Sequence, residues 1–429
     1  MRTATALVVG EVIAVGIFLT PASMAKSLAS PFWLLAVWLV MGAMAACGAL
    51  CYGELAARFP EAGGGYVYLR EAYGRPIAFL YGWMALLVMD PGLTAALAVG
   101  MASYAGYVLS LSPLASKGLA IGVVILVASV NILGVRLGAW LMRWLTILKL
   151  GLLVFLLLWG FGFRLGDWSN FTPLVARPPG SAPLLGALAG GMVAAFFSFG
   201  GWWDVTKIAG EVRDPARTLP RALIYGVVIV TLFYILTSAV FLYLVPLTAV
   251  SSGETFAAQA GEIMFGKSGG LVFSIIVVLA VLGSLAAIIM SAPRVYFAMA
   301  RDGLFLPSAA ALHPRFGTPA RAVGLQALLA IVLVSLGSFS QIISYFIFVV
   351  VIFVGLTVAA LFVLRRKQPT SPAYLTPGYP VTPIIFLSMV SLLLVLLGSN
   401  SPQQSFLGVA MVALGIPVYY FFFRANPGD

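Results

Sequence analysis

Apolar residues along this chain run together in blocks of membrane-spanning length, parted by short polar stretches. A helix needs roughly 20 mainly apolar residues to cross the hydrocarbon of a bilayer, and that length is reached again and again. The blocks predict twelve spans, at roughly 4 to 21, 33 to 57, 77 to 111, 118 to 135, 143 to 163, 184 to 210, 222 to 246, 269 to 300, 322 to 339, 341 to 364, 381 to 398 and 405 to 423. The pattern is that of an all-α, polytopic integral membrane protein. Composition agrees: 62% hydrophobic residues, 9% charged residues and a mean hydropathy of +1.07 are too apolar for a soluble globule.

One block breaks the pattern. Residues 194–221, AAFFSFGGWWDVTKIAGEVRDPARTLPR, set Gly200 and Gly201 beside aromatic residues within an otherwise spanning helix. In hydrocarbon every backbone N–H and C=O needs an internal partner, so unwound chain at that depth is tolerated only where it lines a cavity. The first span carries a comparable interruption, Glu11-Val12-Ile13-Ala14-Val15-Gly16-Ile17-Phe18 ahead of Thr20-Pro21. Corresponding breaks in two halves point to a transport site near the bilayer midplane. They open successive five-span units, about 4–163 and 184–364, and because five is odd the second unit enters the membrane inverted. Two peripheral helices, about 381–423, complete a single transporter domain. Gly186 and Gly190 have the small-xxx-small spacing of closely packed helices.

A net charge of +11 would suit nucleic acid, but its distribution follows the membrane. With both termini on one side, that side receives 18 of the 24 basic residues, among them Arg58, Arg70, Arg75, Lys207, Arg213, Arg294 and the Arg365-Arg366-Lys367 run. The positive-inside rule therefore places both termini in the cytoplasm, in the plasma (inner) membrane. Lys149 stands alone inside the fifth span. The first apolar block begins within a few residues of Met1 but lacks a cleavage site followed by a soluble domain, so it reads as a retained span.

Several chemistries lack their raw material. His313 is the only histidine, which leaves no metal cluster and no His-dependent triad. Cys47 and Cys51 lie four apart on one helix face and are poorly placed to bridge each other. Residues 261–268, GEIMFGKS, fit the GxxxxGK[ST] pattern, but without a preceding strand or a packed sheet the match is coincidence and no nucleotide is expected. No HExxH, no GxSxG and no paired intramembrane aspartate motif supports a hydrolase, so the chain reads as no enzyme, with no cofactor. A selective channel would need a continuous polar pore, which these spans do not display.

The chain resembles the amino acid–polyamine–organocation (APC) superfamily, and within it the L-type amino acid transporters and their bacterial relatives. The resemblance covers nearly the full length. It rests on GIF at Gly16 to Phe18 with Pro21, on YGELAARFPEAGGGYVYLREAYG from Tyr52, and on FFSFGGWW followed by GEVRDPARTLP from Gly210. Further matches are PRVYFAMARDGLFLP from Pro293, HPRFGTPARA from His313 and TPGYPVTP from Thr376. It implies the APC fold, twelve transmembrane helices in a five-plus-five inverted repeat with discontinuous helices 1 and 6. Spans one, two, six and seven would rock against three, four, eight and nine.

The resemblance also implies a site. An amino acid's carboxylate would lie against backbone N–H groups of Ala14, Val15 and Gly16, next to Ile17, and near Gly200 and Gly201, where exposed amides and a positive half-helix end favour an anion. Its ammonium would meet the carbonyls of Val12, Phe197, Ser198 and Gly200. Phe197 looks like an aromatic gate, with Trp202 packed behind it. Where relatives carry Gly-Ser-Gly this chain has Ala14-Val15-Gly16, which removes a hydroxyl and narrows the cleft towards small or slender substrates. Lys149 resembles the lysine that replaces a bound ion in sodium-independent members and would bridge carbonyls of spans one and eight.

Charged residues at membrane depth are functional candidates because each is costly unless paired or solvated. Glu11 is expected to partner the substrate or Lys149. Asp90, before Pro91, is expected to neutralise Lys149, take a proton or meet a cationic substrate. Glu54, Glu211 and Asp214 with Arg58, Arg213 and Arg217 are expected to form the ion pairs of an inner gate. The sequence reading is thus sodium-independent secondary transport of neutral L-amino acids by alternating access. Exchange is favoured, with proton symport, also open to cationic amino acids, as the alternative. A non-transporting amino acid sensor is disfavoured by short tails. The absence of an outer cysteine near span four predicts function without an accessory subunit, so the partners expected are the amino acid and membrane lipid.

Overall fold

The computed structural model describes residues 2–14, 16–133, 135–250, 256–337, 339–368 and 372–424, and among them it is helical with no strand. The chain opens with α1 (Arg2–Val12) and α2 (Gly16–Leu28), which meet at a bend of 43°. There follow α3 (Pro31–Arg58), the short α4 (Gly65–Tyr73), α5 (Arg75–Met84), α6 (Asp90–Leu109), α7 (Pro113–Leu133) and α8 (Val135–Gly162). The second part holds α9 (Leu184–Phe199), α10 (Pro215–Leu244), α11 (Phe256–Phe265), α12 (Lys267–Ser291), α13 (Pro293–Arg301), α14 (Ala320–Leu336) and α15 (Phe339–Lys367). It closes with α16 (Val381–Asn400), α17 (Pro402–Ala413) and α18 (Gly415–Val418).

Among the described residues nine helices are long and apolar enough to cross a membrane, and the bent pair α1–α2 makes a tenth. Two shorter apolar stretches, Ile147–Gly162 within α8 and Ala320–Leu336, fall below that length. The protein is a multi-pass membrane protein. Leu, Ile, Val and Phe residues such as Leu126, Leu158, Leu232 and Val395 face outward, as a surface bathed in lipid tails requires.

Packing sorts the helices into two neighbourhoods. The longest pairing joins α3 to α10, with α1 against α10 and α2 and α3 against α9. In the other, α6 packs on α12, α7 and α14. Helix α8 leans on α12 and on α10, so it touches both.

The GxxxxGK[ST] segment is a helix junction. Gly261 in α11 and Gly269 in α12 face each other so closely that a Cβ on Gly269 would lie 2.0 Å from the Gly261 carbonyl oxygen. Those glycines serve close helix approach. Gly186 and Gly190 do the reverse of what their spacing suggests: a Cβ on either would meet nothing within 4 Å, so α9 is not held to a neighbour there.

Candidate functional site

Both sequence interruptions become real breaks, and they face each other. Helix α1 ends at Val12, and Ile13 and Ala14 turn the chain before α2 resumes at Gly16; Val15 lies outside the described residues. Helix α9 ends at Phe199, Gly200 is extended at φ −53° and ψ 143°, and Gly201 takes φ +103°. That positive φ is strained for any residue with a Cβ, so Gly201 is required for the chain to turn into the 3₁₀ segment Asp204–Glu211. At Gly16 the need is steric: a Cβ there would lie 2.7 Å from Ser198 Cα.

Between the breaks lies a cavity walled by Glu11, Val12, Ala14, Gly16, Phe197, Ser198, Gly200 and Gly201, with Leu93, Leu97, Asp204, Ser284 and Ile288 completing it. Seven of the ten residues that the sequence nominated for substrate contact therefore line one space. Ile17 is fully buried in the core and is not part of this wall. Trp202 is also elsewhere. It does not pack behind Phe197 but stands edge-on to Tyr52, ring centroids 5.0 Å apart, in a separate hollow with Met41, Met44, Phe199 and Phe386. The reason is the turn at Gly200 and Gly201, which swings the chain after Phe199 towards α3. The Phe197 ring is 6.3 Å from the Phe346 ring across a second compartment.

Local hydrogen bonds hold the breaks open. The Tyr234 hydroxyl of α10 lies 2.8 Å from the Val12 carbonyl and 2.7 Å from the Ser198 carbonyl, so its single proton serves the ends of both broken helices. Thr20 donates to the Gly16 carbonyl at 2.9 Å and meets the Ser198 hydroxyl at 2.8 Å. Neither tie was anticipated from the sequence. A tyrosine within an apolar span has no local signal of its partner.

Lys149 is fully buried and donates to the Gly10 carbonyl of α1 and to the Ser284 hydroxyl of α12, the latter at 2.8 Å. It thus joins the first and eighth expected spans, with a hydroxyl in place of the expected second carbonyl. Glu11 attracts it electrostatically without forming an ion pair. Among the described residues Glu11 makes no ion pair, and its Oε2 is buried with no hydrogen-bond partner.

The largest departure concerns Asp90. Instead of neutralising Lys149, it lies 3.3 Å from the ammonium of Lys207 and accepts a hydrogen bond from the Tyr296 hydroxyl at 2.6 Å. Lys207 reads in the sequence as one of the cytoplasmic basic residues, yet it is 1% exposed. The π-helical turn Ala85–Met89 just before α6 and the 3₁₀ segment after Gly201 bring the two together, and Asp204 completes a triad at 2.9 Å from the same ammonium. Asp204 lines both the cavity between the breaks and the second compartment, whose other walls include Met89, Asp90, Leu93, Phe346, Ile347 and Val350.

The expected inner ion pairs are partly re-sorted. Glu54 is fully buried and takes Arg58 at 3.0 Å as expected, together with Arg365 at 2.6 Å and the Thr376 N–H at 2.8 Å. Glu211 pairs with Arg294 at 3.3 Å, and the Asp214 carbonyl accepts from the backbone of Arg217 and Thr218. Arg70 meets Asp302 at 2.7 Å. Among the described residues Arg213 and Arg217 make no ion pair. No group of three or more metal-ligating side chains is found among them either.

Comparison with known proteins bears on what such a site handles. The family described as amino acid permease matches residues 1–423. The serine/threonine exchanger SteT of Bacillus subtilis is 30% identical over 421 residues, covering 97% of this chain and 94% of its own. The b(0,+)-type amino acid transporter 1 of Mus musculus is 28% identical, over 97% of this chain and 86% of its own. The large neutral amino acids transporter small subunit 2 of the same species is 29% identical, over 97% and 79%.

Proposed function

The chain belongs to the amino acid permease family, and from that premise we propose a sodium-independent carrier that exchanges neutral L-amino acids across the plasma membrane by alternating access. The observation that carries this reading is the meeting of two helix breaks around one cavity. Helix breaks expose N–H groups on one side and carbonyls on the other, so a zwitterion can be held by main chain alone. In this proposal the N–H groups of Ala14, Val15 and Gly16 take the carboxylate. The carbonyls of Val12, Phe197, Ser198 and Gly200 take the ammonium.

Sodium independence is supported by Lys149, whose side-chain nitrogen lies between Gly10 and Ser284 and ties the first break to α12. Exchange is supported by the likeness to SteT of Bacillus subtilis, a serine/threonine exchanger. A second reading, proton symport, has one observation in its favour: the buried, unpartnered Glu11 Oε2 on the cavity wall is a place for a proton. The proposal retains twelve spans in two inverted halves with cytoplasmic termini, acting without an accessory subunit.

The test is uptake of labelled alanine, leucine and serine into proteoliposomes. Exchange predicts uptake that requires internal amino acid and is indifferent to sodium. Uptake into empty vesicles driven by a proton gradient would replace exchange by symport. Binding without uptake in either case would make the protein a sensor.

A further inference from the structure

The Asp90–Lys207–Asp204 triad has no part in holding the amino and carboxylate groups of a substrate, yet two of its members face the cavities. Asp204 is on the wall of both compartments and Asp90 on the wall of the second, while the Lys207 ammonium sits between them, 2.9 Å from Asp204 and 3.3 Å from Asp90. Two carboxylates share one ammonium, and Glu11 adds a third carboxylate with a buried, unpartnered oxygen on the same wall. The other buried lysine among the described residues, Lys149, donates to Gly10 and Ser284. The Lys207 ammonium is thus in direct contact with Asp204, at 2.9 Å from its Oδ1.

We infer that Lys207 is a specificity-determining residue, a tethered cation that fills the acidic pair Asp90 and Asp204 and so excludes amino acids with positively charged side chains. The inference rests on the proposed transport of neutral amino acids and names the group that enforces it. A cationic side chain entering the second compartment would face Asp90 and Asp204, whose attraction the Lys207 ammonium behind them already draws off, so it gains too little there to offset the loss of its own water. An uncharged side chain meets the apolar walls of Leu93, Phe197, Phe346, Ile347 and Val350. Remove the ammonium and the same acidic pair becomes a place for a cation from outside.

The experiment compares labelled arginine and alanine in proteoliposomes. In the wild-type protein, excess arginine should fail to compete with alanine. Lys207→Gln should raise the arginine-to-alanine uptake ratio by about tenfold or more, and Lys207→Arg should leave it low. Because Lys207→Gln leaves two buried carboxylates unpaired, Lys207→Gln/Asp90→Asn is the second variant: it keeps the triad's net charge and should show the same gain. Adding Asp204→Asn to Lys207→Gln should remove the gain. An unchanged ratio in either folded variant, or wild-type arginine competing as well as leucine does, would overturn the inference while transport of neutral amino acids stands. Absence of any amino acid uptake or ligand-induced thermal stabilisation in the wild type would instead sink the proposed function, and the inference with it.

Discussion

Among the described residues two lysines are buried, and their surroundings differ in kind. Lys149 sits on α8 with a carbonyl and a hydroxyl as its hydrogen-bond partners, attracted by the Glu11 carboxylate from beyond ion-pair distance, and it makes no ion pair among the described residues. Lys207 sits on the irregular segment after the α9 break, pressed between two carboxylates. A lone ammonium held by dipoles keeps most of its desolvation cost, whereas one flanked by carboxylates recovers much of it by attraction and also suppresses the cost of burying them. One lysine is a charge the protein tolerates where it ties the α1 end to α12. The other is structurally indispensable to its neighbours.

That contrast can be broken by substitution. Lys207→Leu, which strands Asp90 and Asp204 without a counter-charge, should cost about 3–5 kcal/mol of stability, read as a large fall in the thermal unfolding midpoint in detergent. Lys149→Met should cost less, about 1–3 kcal/mol, because it takes a donor from the Gly10 carbonyl and leaves the Ser284 hydroxyl only its 3.5 Å contact with the Ile13 carbonyl, while relieving a buried charge; exchange should be lost although the protein stays folded. If Lys149→Met proves the more destabilising, the contrast fails. Asp90→Asn placed on Lys207→Leu should restore about 1–2 kcal/mol relative to additivity, a coupling measurable in a double-mutant cycle. Tyr296→Phe, which deletes a hydrogen bond to Asp90, should cost about 1.5 kcal/mol. The Glu211–Arg294 pair makes the baseline: Glu211 is largely exposed, so Glu211→Gln should shift stability by less than about 1 kcal/mol.

The two lysines also mark where sequence reading succeeds. Lys149 is flanked by apolar residues in LTILKLGLL, so its charge stands out against its own helix. Lys207 lies among Asp204, Glu211 and Arg213, a polar run that reads as the margin of a span. Only the turn at Gly201 and the 3₁₀ winding after it carry that run back into the protein. Trp202 follows the same logic: its place in FSFGGWW suggests a neighbour of Phe197, but the turn between them sends it to Tyr52.

The sequence by itself determined that the chain is an all-helical, multi-pass membrane protein and where its helices break around the cavity, because hydrocarbon admits so few backbone solutions. Long apolar blocks must be helices, and glycine-bearing interruptions within them must line a cavity. The family's long motifs in order identified the class of molecule for the same reason, as each repeats a local constraint. What only the tertiary structure decided is which charges meet. The bonding of Asp90 to Lys207, of Glu54 to Arg365 across 311 positions and of Tyr234 to both breaks joins residues far apart in the chain. Side-chain pairing at such separations depends on how helices pack around the breaks, and neither hydropathy nor spacing records that.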